Sequence, residues 1–199
     1  MKSIESLIRF TYLSNLMWRK GWEGKISPGF ERYKWFISKL PPPPVKVLEI
    51  GFNSGEALSY INDLGYECTG IDLSFIVQKY GKNPKIKYIE RNMDNPNAYD
   101  LAQLFHEEFD IVILGEVLQH IIFDTNLLYA IWFYLKPNGL LLMSTENCNL
   151  VNQAIRYYPT DILKTMLEIL SFKIEDLKID GQKYYIWISA RKIGKEIQI

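Results

Sequence analysis

Cysteine and histidine are scarce in this chain, and net charge is absent. Its 199 residues include two Cys and two His, and 23 Lys and Arg stand against 23 Asp and Glu. Cys68 and Cys148 cannot build a disulfide framework, and two cysteines alone cannot complete a four-ligand zinc site. With only His106 and His120 to help, no structural metal is expected. Balanced charge removes the whole-protein electrostatic argument for nucleic acid or an anionic membrane, leaving only local basic patches to consider. No apolar run approaches the roughly 18 residues of a membrane span. Glu5 and Arg9 interrupt what would have to be the apolar stretch of a secretory leader, so the expected compartment is the cytoplasm.

What the chain has in excess is aromatic surface, with five Trp, 13 Tyr and 10 Phe. One small core does not need so many, and the surplus points to a concave site or an interface. Residues 1–40 read as a helical N-terminal cap. Ile4, Leu7, Ile8, Leu13, Leu16 and Met17 recur at three- and four-residue spacings, which predicts a helix starting near Ser3. A loop from Trp18 to Lys25 comes next. Ser27-Pro28 then reads as a cap with proline at the first helical position, opening a second helix that runs to about Lys39. Pro41 to Pro44 stop it and act as a hinge to the main body, within a single domain over 1–199.

From Val45 the period changes from that of helices to that of strands. Strand-like runs at 45–50, 67–71, 86–90, 110–114 and 140–144 alternate with helical segments at 56–64, 74–80, 97–106 and 124–135. Alternation of this kind means crossover connections and a mainly parallel, doubly wound α/β sheet. One more helix is expected over 160–170. The strands at 172–179 and 184–191 are joined by Asp180-Gly181, a hairpin signal that makes the last pair antiparallel.

In such sheets ligands bind beyond the carboxyl ends of the strands. The first of these ends is Glu49-Ile50-Gly51-Phe52-Asn53-Ser54-Gly55. Asn53 and Glu56 stand where a dinucleotide loop would carry its second and third glycines, so a diphosphate fits poorly. A carboxylate two residues before the first glycine and a second one, Asp72, at the end of the next strand suit a different ligand. Asp72 is spaced to accept both hydrogen bonds from a ribose diol, and Glu49 favours positive charge beside the turn. Together they describe a cationic nucleoside.

Val47 to Gly55 resembles the first motif of the class I S-adenosylmethionine-dependent methyltransferases, and Gly70-Ile71-Asp72 resembles the second. Phe109-Asp110-Ile111-Val112 with Val117-Leu118-Gln119-His120-Ile121 is similar to the family's fourth strand and its loop. Leu135-Lys136-Pro137-Asn138-Gly139 is similar to its Leu-Lys-Pro-Gly-Gly turn. The stretch from Arg156 through Phe172 is similar to the late helix of the small-molecule branch that includes quinone-biosynthesis enzymes. The resemblance covers about residues 32–191 and implies a Rossmann-like, seven-stranded core over 45–191. Three positions depart from it, with Asn53, Asn138 and Ser171 standing where the family carries glycine.

The resemblance also implies roles. Glu49, Gly51, Phe52, Asn53, Gly55 and Gly115 would surround the methionine part of S-adenosylmethionine. Asp72 would take the ribose, Leu73 the adenine face, and Asn92 with Met93 the adenine edge, Asp94 being the competing register. Glu116 and His120 are candidates for catalysis. Trp18, Trp22, Tyr157 and Tyr158 are candidates to line the pocket of a small-molecule acceptor, with Tyr33 and Trp35 in the same cap. Each has a plainer reading beside it. Glu49 would cap the next turn, Asp72 the helix near Ser74, Asn92 and Met93 would belong to a simple turn, and His120 would order its loop. An RNA or protein acceptor, met by Trp18, Arg19, Lys20 and Trp22, is the alternative on the same fold. A non-catalytic subunit, motivated by Asn53, is the third reading.

Overall fold

A computed structural model describes residues 28–147, 156–181 and 184–194. The expected helix near Ser3, the loop carrying Trp18 and Trp22, and Cys148 lie outside the described residues. The described chain begins with α1 (Pro28–Lys39), whose end agrees with the expected stop before the prolines. The next elements are β1 (Lys46–Ile50), α2 (Glu56–Asp63), β2 (Glu67–Asp72), α3 (Ser74–Tyr80), β3 (Lys87–Glu90) and α4 (Ala98–Ala102). Then come β4 (Phe109–Gly115), α5 (Asp124–Tyr134), β5 (Leu135–Glu146), α6 (Thr160–Ile169), β6 (Phe172–Ile179) and β7 (Tyr185–Lys192).

The seven strands form one sheet in the order β3-β2-β1-β4-β5-β7-β6. β1 to β5 are parallel, whereas β7 runs antiparallel to both β5 and β6. The winding reverses between β1 and β4, so the crevice at their carboxyl ends is the place this topology provides for a ligand.

Two expected boundaries move. The helix expected over 97–106 is short: Asn97 caps its start by accepting from Tyr99 and Asp100 N–H, and it ends at Ala102 with Gln103 as its C-cap. The strand expected over 140–144 is much longer. β5 already pairs with β4 at Leu135 opposite Phe109, resumes after an irregularity at Leu140, and continues to Glu146 opposite Tyr185 of β7. All three positions where the family carries glycine have a left-handed backbone, with φ of 53° at Asn53, 62° at Asn138 and 58° at Ser171.

Side chains alternate across the sheet, and each face has its own core. Leu48, Ile50, Val112, Leu114, Leu141 and Met143 pack under α5 and α6, and α5 is so enclosed that Leu127, Leu128, Ala130, Ile131, Trp132 and Tyr134 are all buried. On the opposite face Val47, Ile111, Ile113, Leu140 and Leu142 pack with Phe36 of α1 and Leu58 and Ile61 of α2. No helix among the described residues is long and apolar enough to cross a membrane.

Candidate active site

The α1 face of the sheet changes character as it approaches the carboxyl edge. Following the alternation two residues beyond each apolar position, Val47 leads to Glu49, Ile113 to Gly115, and Leu142 to Ser144 and Glu146. Residues directly opposite in an antiparallel pair share a face, so Trp187 beside Ser144 and Tyr185 beside Glu146 belong to it too. Trp35 of α1 meets Trp187 at a ring separation of 6.0 Å, which fixes the helix over this region. An apolar face thus ends in a polar floor, and α1 is its roof.

Glu49 is 1% exposed. Tyr33 on α1 donates its hydroxyl to Glu49 Oε1, while Oε2 is buried without a hydrogen-bond partner. Burial pushes the Glu49 carboxyl up to about 7, against the lowering effects of Tyr33 and Arg32. Burial and the adjacent Glu49 also push the Tyr33 phenol well above its ordinary range. Next to Tyr33, Arg32 reaches Glu116 Oε1 at 3.3 Å. α1 packs directly over Gly115, where a Cβ would meet the Tyr33 hydroxyl at 3.4 Å and Arg32 Nε at 3.6 Å, ordinary contact distances.

The glycine loop is held by Asp72. Its Oδ2 accepts from Asn53 N–H at 2.9 Å and its Oδ1 from Leu73 N–H at 2.8 Å. The carboxylate therefore does not cap α3 through its side chain, which has no such hydrogen bond at its N-terminus. Burial raises its pKa and the two backbone N–H groups oppose that. Gly51 has φ +76°, and a Cβ on it would lie 2.3 Å from Val117 Cγ2. Gly55 has φ +70°, a left-handed conformation that glycine adopts without strain, and a Cβ on it would meet Phe52 and Tyr80 at ordinary contact distance. Phe52 brings only its backbone to this loop; its ring is buried against Tyr88 at 5.1 Å and over Gly70.

Beyond β3, Asn92 is exposed and accepts from Asp94 N–H at 2.9 Å, forming a local turn, while Met93 is buried in the core under α5. Asp94 Oδ1 accepts from Ile122 and Phe123 N–H, each at 3.0 Å, and ties the β3 loop to the segment leading into α5, while its Oδ2 is buried without a partner.

After β4, Glu116 has φ 58°, an uncommon conformation for a side-chain-bearing residue, and it persists because its neighbours hold it. Its N–H donates to Ser144 O at 3.0 Å and its Oε2 accepts from Gln119 at 3.0 Å. Gln119 is buried and accepts from Thr145 Oγ1 at 3.1 Å. His120 ends the short 3-10 turn Leu118–His120. The late aromatic pair divides. Tyr157 is 50% exposed, whereas Tyr158 is 3% exposed and donates to Asp124 Oδ2 at 2.6 Å, alongside Arg156 at 2.9 Å. Tyr158 therefore works within the fold, bracing the start of α5.

Sequence reading did not single out Arg32, Gln119, Ser144 or Glu146 as site residues. Glu146, 6% exposed, has an Oε2 without a partner, as has the buried Ser144 Oγ. The alternation of β5 was the signal that carried them. A separate cavity of about 320 Å³ at the opposite edge of the sheet is lined by Lys39, Asp110, Lys136 and Arg191. Its cations are matched by Asp176, Asp110 and Glu175, so it has no surplus charge with which to hold an anion.

Comparison with known proteins agrees with this geometry. A methyltransferase-domain family profile matches residues 26–182. The ubiquinone biosynthesis O-methyltransferase of Thiobacillus denitrificans is 28% identical over 151 residues, covering 72% of this chain and 63% of that protein. The enzyme of the same name from Hydrogenovibrio crunogenus is 30% identical over 152 residues, covering 72% and 61%. This chain thus spans less than two thirds of the length of these curated relatives. Among solved structures, the Burkholderia thailandensis 1,6-didemethyltoxoflavin-N1-methyltransferase superposes with a TM-score of 0.72 at 18% identity, covering 96% of this chain and 89% of that one. An S-adenosylmethionine-dependent methyltransferase from Mesorhizobium loti gives 0.66 at 15% identity, covering 80% and 97%. With the profile running across both the glycine loop and the polar end of β5, this chain belongs to the methyltransferase-domain family, on the Rossmann-like fold of the S-adenosylmethionine-dependent enzymes.

Proposed function

We propose that the protein is an S-adenosylmethionine-dependent methyltransferase acting on a small molecule. The observation that carries this reading is the pair of carboxylates at the ends of adjacent strands. Asp72 fixes the glycine loop through Asn53, and Glu49 keeps a buried Oε2 that lacks a donor. An ammonium supplies that donor. The residues present therefore fit the cofactor.

Glu49 would hold the methionine ammonium, Asp72 the ribose hydroxyls, Leu73 the adenine face, and Asn92 with the Met93 backbone the adenine edge. When bound, the cofactor supplies an electrophilic methyl group on a sulfonium. The chain's own work is positioning. Gly115 and Glu116 narrow the crevice on the β4 side, while Phe36 and Trp35 of α1 shield it from water. Holding the reacting groups in line supplies several kcal/mol of the barrier by itself. No residue need form a covalent intermediate. The small-molecule reading is supported by the aromatic roof and by the named function of the curated relatives.

Calorimetry with S-adenosylhomocysteine tests the assignment. Micromolar binding by the wild-type chain, lost in Asp72→Ala, is the expected result. No binding at millimolar ligand would overturn it, and binding unaffected by Asp72→Ala would remove the assigned ribose contact.

A further inference from the structure

Four acidic residues stand at or just past the carboxyl ends of neighbouring strands, in the sheet order Asp72, Glu49, Glu116 and Glu146. The first two are accounted for by the cofactor reading, and any role for the remaining two in methyl transfer rests on that reading. Glu116 is engaged by Arg32 and Gln119. Glu146 is left over. It lies on the same face as Glu49, two strands across and, since Glu49 aligns through Ile113 with Leu142, four residues further along the strand, a separation of about 16 Å. That places it on the far side of Gly115, away from the methionine end and toward the acceptor.

We infer that Glu146 and Ser144 form the polar subsite for the methyl acceptor, an aromatic ring bearing an acidic O–H or N–H, and that Glu146 takes that proton as the methyl is transferred. Two observations point there independently of the cofactor. Glu146 Oε2 and Ser144 Oγ, two residues apart on one face of β5, are both buried and both lack a partner. Orphaned buried oxygens of this kind are costly unless a ligand completes them. Around them the walls are aromatic, with Tyr185 and Trp187 directly opposite on β7 and Trp35 above.

The charge balance favours this assignment. The acceptor's O–H or N–H bond breaks, its proton goes to Glu146, and its electron pair forms the bond to the methyl carbon. The carbon–sulfur bond breaks with its pair retained by sulfur. One positive and one negative charge vanish together, so a dry site is left with neutral products. Without a proton acceptor the methylated product would retain the positive charge. The titratable groups facing Glu146 are Glu116 from the β4 side and Tyr185 on β7, while Arg32 on α1 pairs with Glu116. Burial, with Glu116, pushes the Glu146 carboxyl up to about 7, so it exchanges protons near neutrality.

The test uses the full chain saturated with S-adenosylhomocysteine and two probes, catechol for the O–H arm and indazole for the N–H arm. Binding of one probe should strengthen about tenfold between about pH 6 and about pH 8, as Glu146 ionises and accepts the probe's hydrogen bond. Glu146→Gln should bind that probe at least tenfold more weakly at the upper pH, without the pH dependence, while its affinity for S-adenosylhomocysteine stays within twofold. Glu146→Asp should restore the pH slope, and Ser144→Ala should weaken the probe while keeping it. Which probe responds identifies the acceptor atom. A Glu146→Gln protein that binds both probes as the wild type does would overturn the inference. So would a wild-type protein that binds S-adenosylhomocysteine and neither probe. Failure of the wild type to bind S-adenosylhomocysteine would overturn the cofactor reading, and this inference with it.

Discussion

Tyr33 on α1 donates its hydroxyl to Glu49 on β1, so the roof of the site sets the ionisation of its floor. That hydrogen bond works against burial, which raises the Glu49 carboxyl to about 7. In Tyr33→Phe the carboxyl titrates higher still and is less charged at neutral pH. S-adenosylhomocysteine affinity is expected to fall about tenfold near pH 7 and to recover about two pH units higher. Calorimetry across that range checks it, and a loss of affinity independent of pH would refute the coupling.

Stability should show the opposite trend with pH. Glu49 and Glu146 both titrate near 7 in the folded chain, above the ordinary value of 4.5, so between these limits the folded state binds more protons than the unfolded one. Unfolding free energy therefore falls as pH rises through this window, by an amount on the order of a few kcal/mol. The melting temperature of the ligand-free protein should drop from about pH 5 to about pH 8, and the rise on adding S-adenosylhomocysteine should grow over the same interval. A ligand-free melting temperature that climbs with pH would contradict the assignment.

Asp72 carries two backbone hydrogen bonds that shape the glycine loop. Asp72→Ala should cost about 1–3 kcal/mol of stability and at least a hundredfold in cofactor affinity. Asp72→Asn keeps an acceptor oxygen for only part of this network and should fall between. Thermal melts and calorimetry on the same samples separate the two effects.

Gly51 and Val117 are locked together, since a Cβ at Gly51 would lie 2.3 Å from Val117 Cγ2 in a left-handed backbone. Gly51→Ala should destabilise the chain by about 2–4 kcal/mol. Adding Val117→Ala removes the clash and leaves the backbone strain, so the double variant should recover about half of the loss. Chemical denaturation of the four proteins in the cycle gives the coupling directly.

Ser171 is the third glycine replacement and the one least suited to its φ of 58°. Ser171→Gly should relieve about 1 kcal/mol and raise the melting temperature by about 2–4 °C. An unchanged or lower melting temperature would mean that unfolded-chain entropy cancels the relief.

The parts of this molecule legible in the sequence are those set by local rules. The strand and helix periods gave the doubly wound sheet, Asp180-Gly181 gave the hairpin, and the glycine loop with Asp72 marked the carboxyl edge at which the cofactor is proposed to bind. Asn53 and Asn138 kept turns that glycine usually makes, because asparagine tolerates that backbone region. The cap was expected, but its contacts were hidden because they depend on where α1 docks. Nothing local to Arg32 shows that it will meet Glu116, and Tyr33 reaches Glu49 only through packing. That Asp94 receives the distant N–H groups of Ile122 and Phe123 is likewise settled by packing that its own segment does not announce. β5 extended to Glu146 because β7 pairs with its whole second half, a long-range event that its own residues do not announce.

The antiparallel direction of β7 gives the two ends of the crevice different histories. Beside β1 and β4 the rim is made of loops that leave strands and enter helices, so their length is constrained by crossover geometry. Beside β5 it is made of a chain arriving from the β6–β7 hairpin, where Asn147 N–H meets Tyr184 O at 2.7 Å and Asp180 receives Tyr184 and Tyr185 N–H. Hairpin turns lengthen at small entropic cost. Insertions there would remodel the wall opposite Glu146 while leaving the glycine loop untouched, so a protein of this design can change its acceptor without relearning its cofactor.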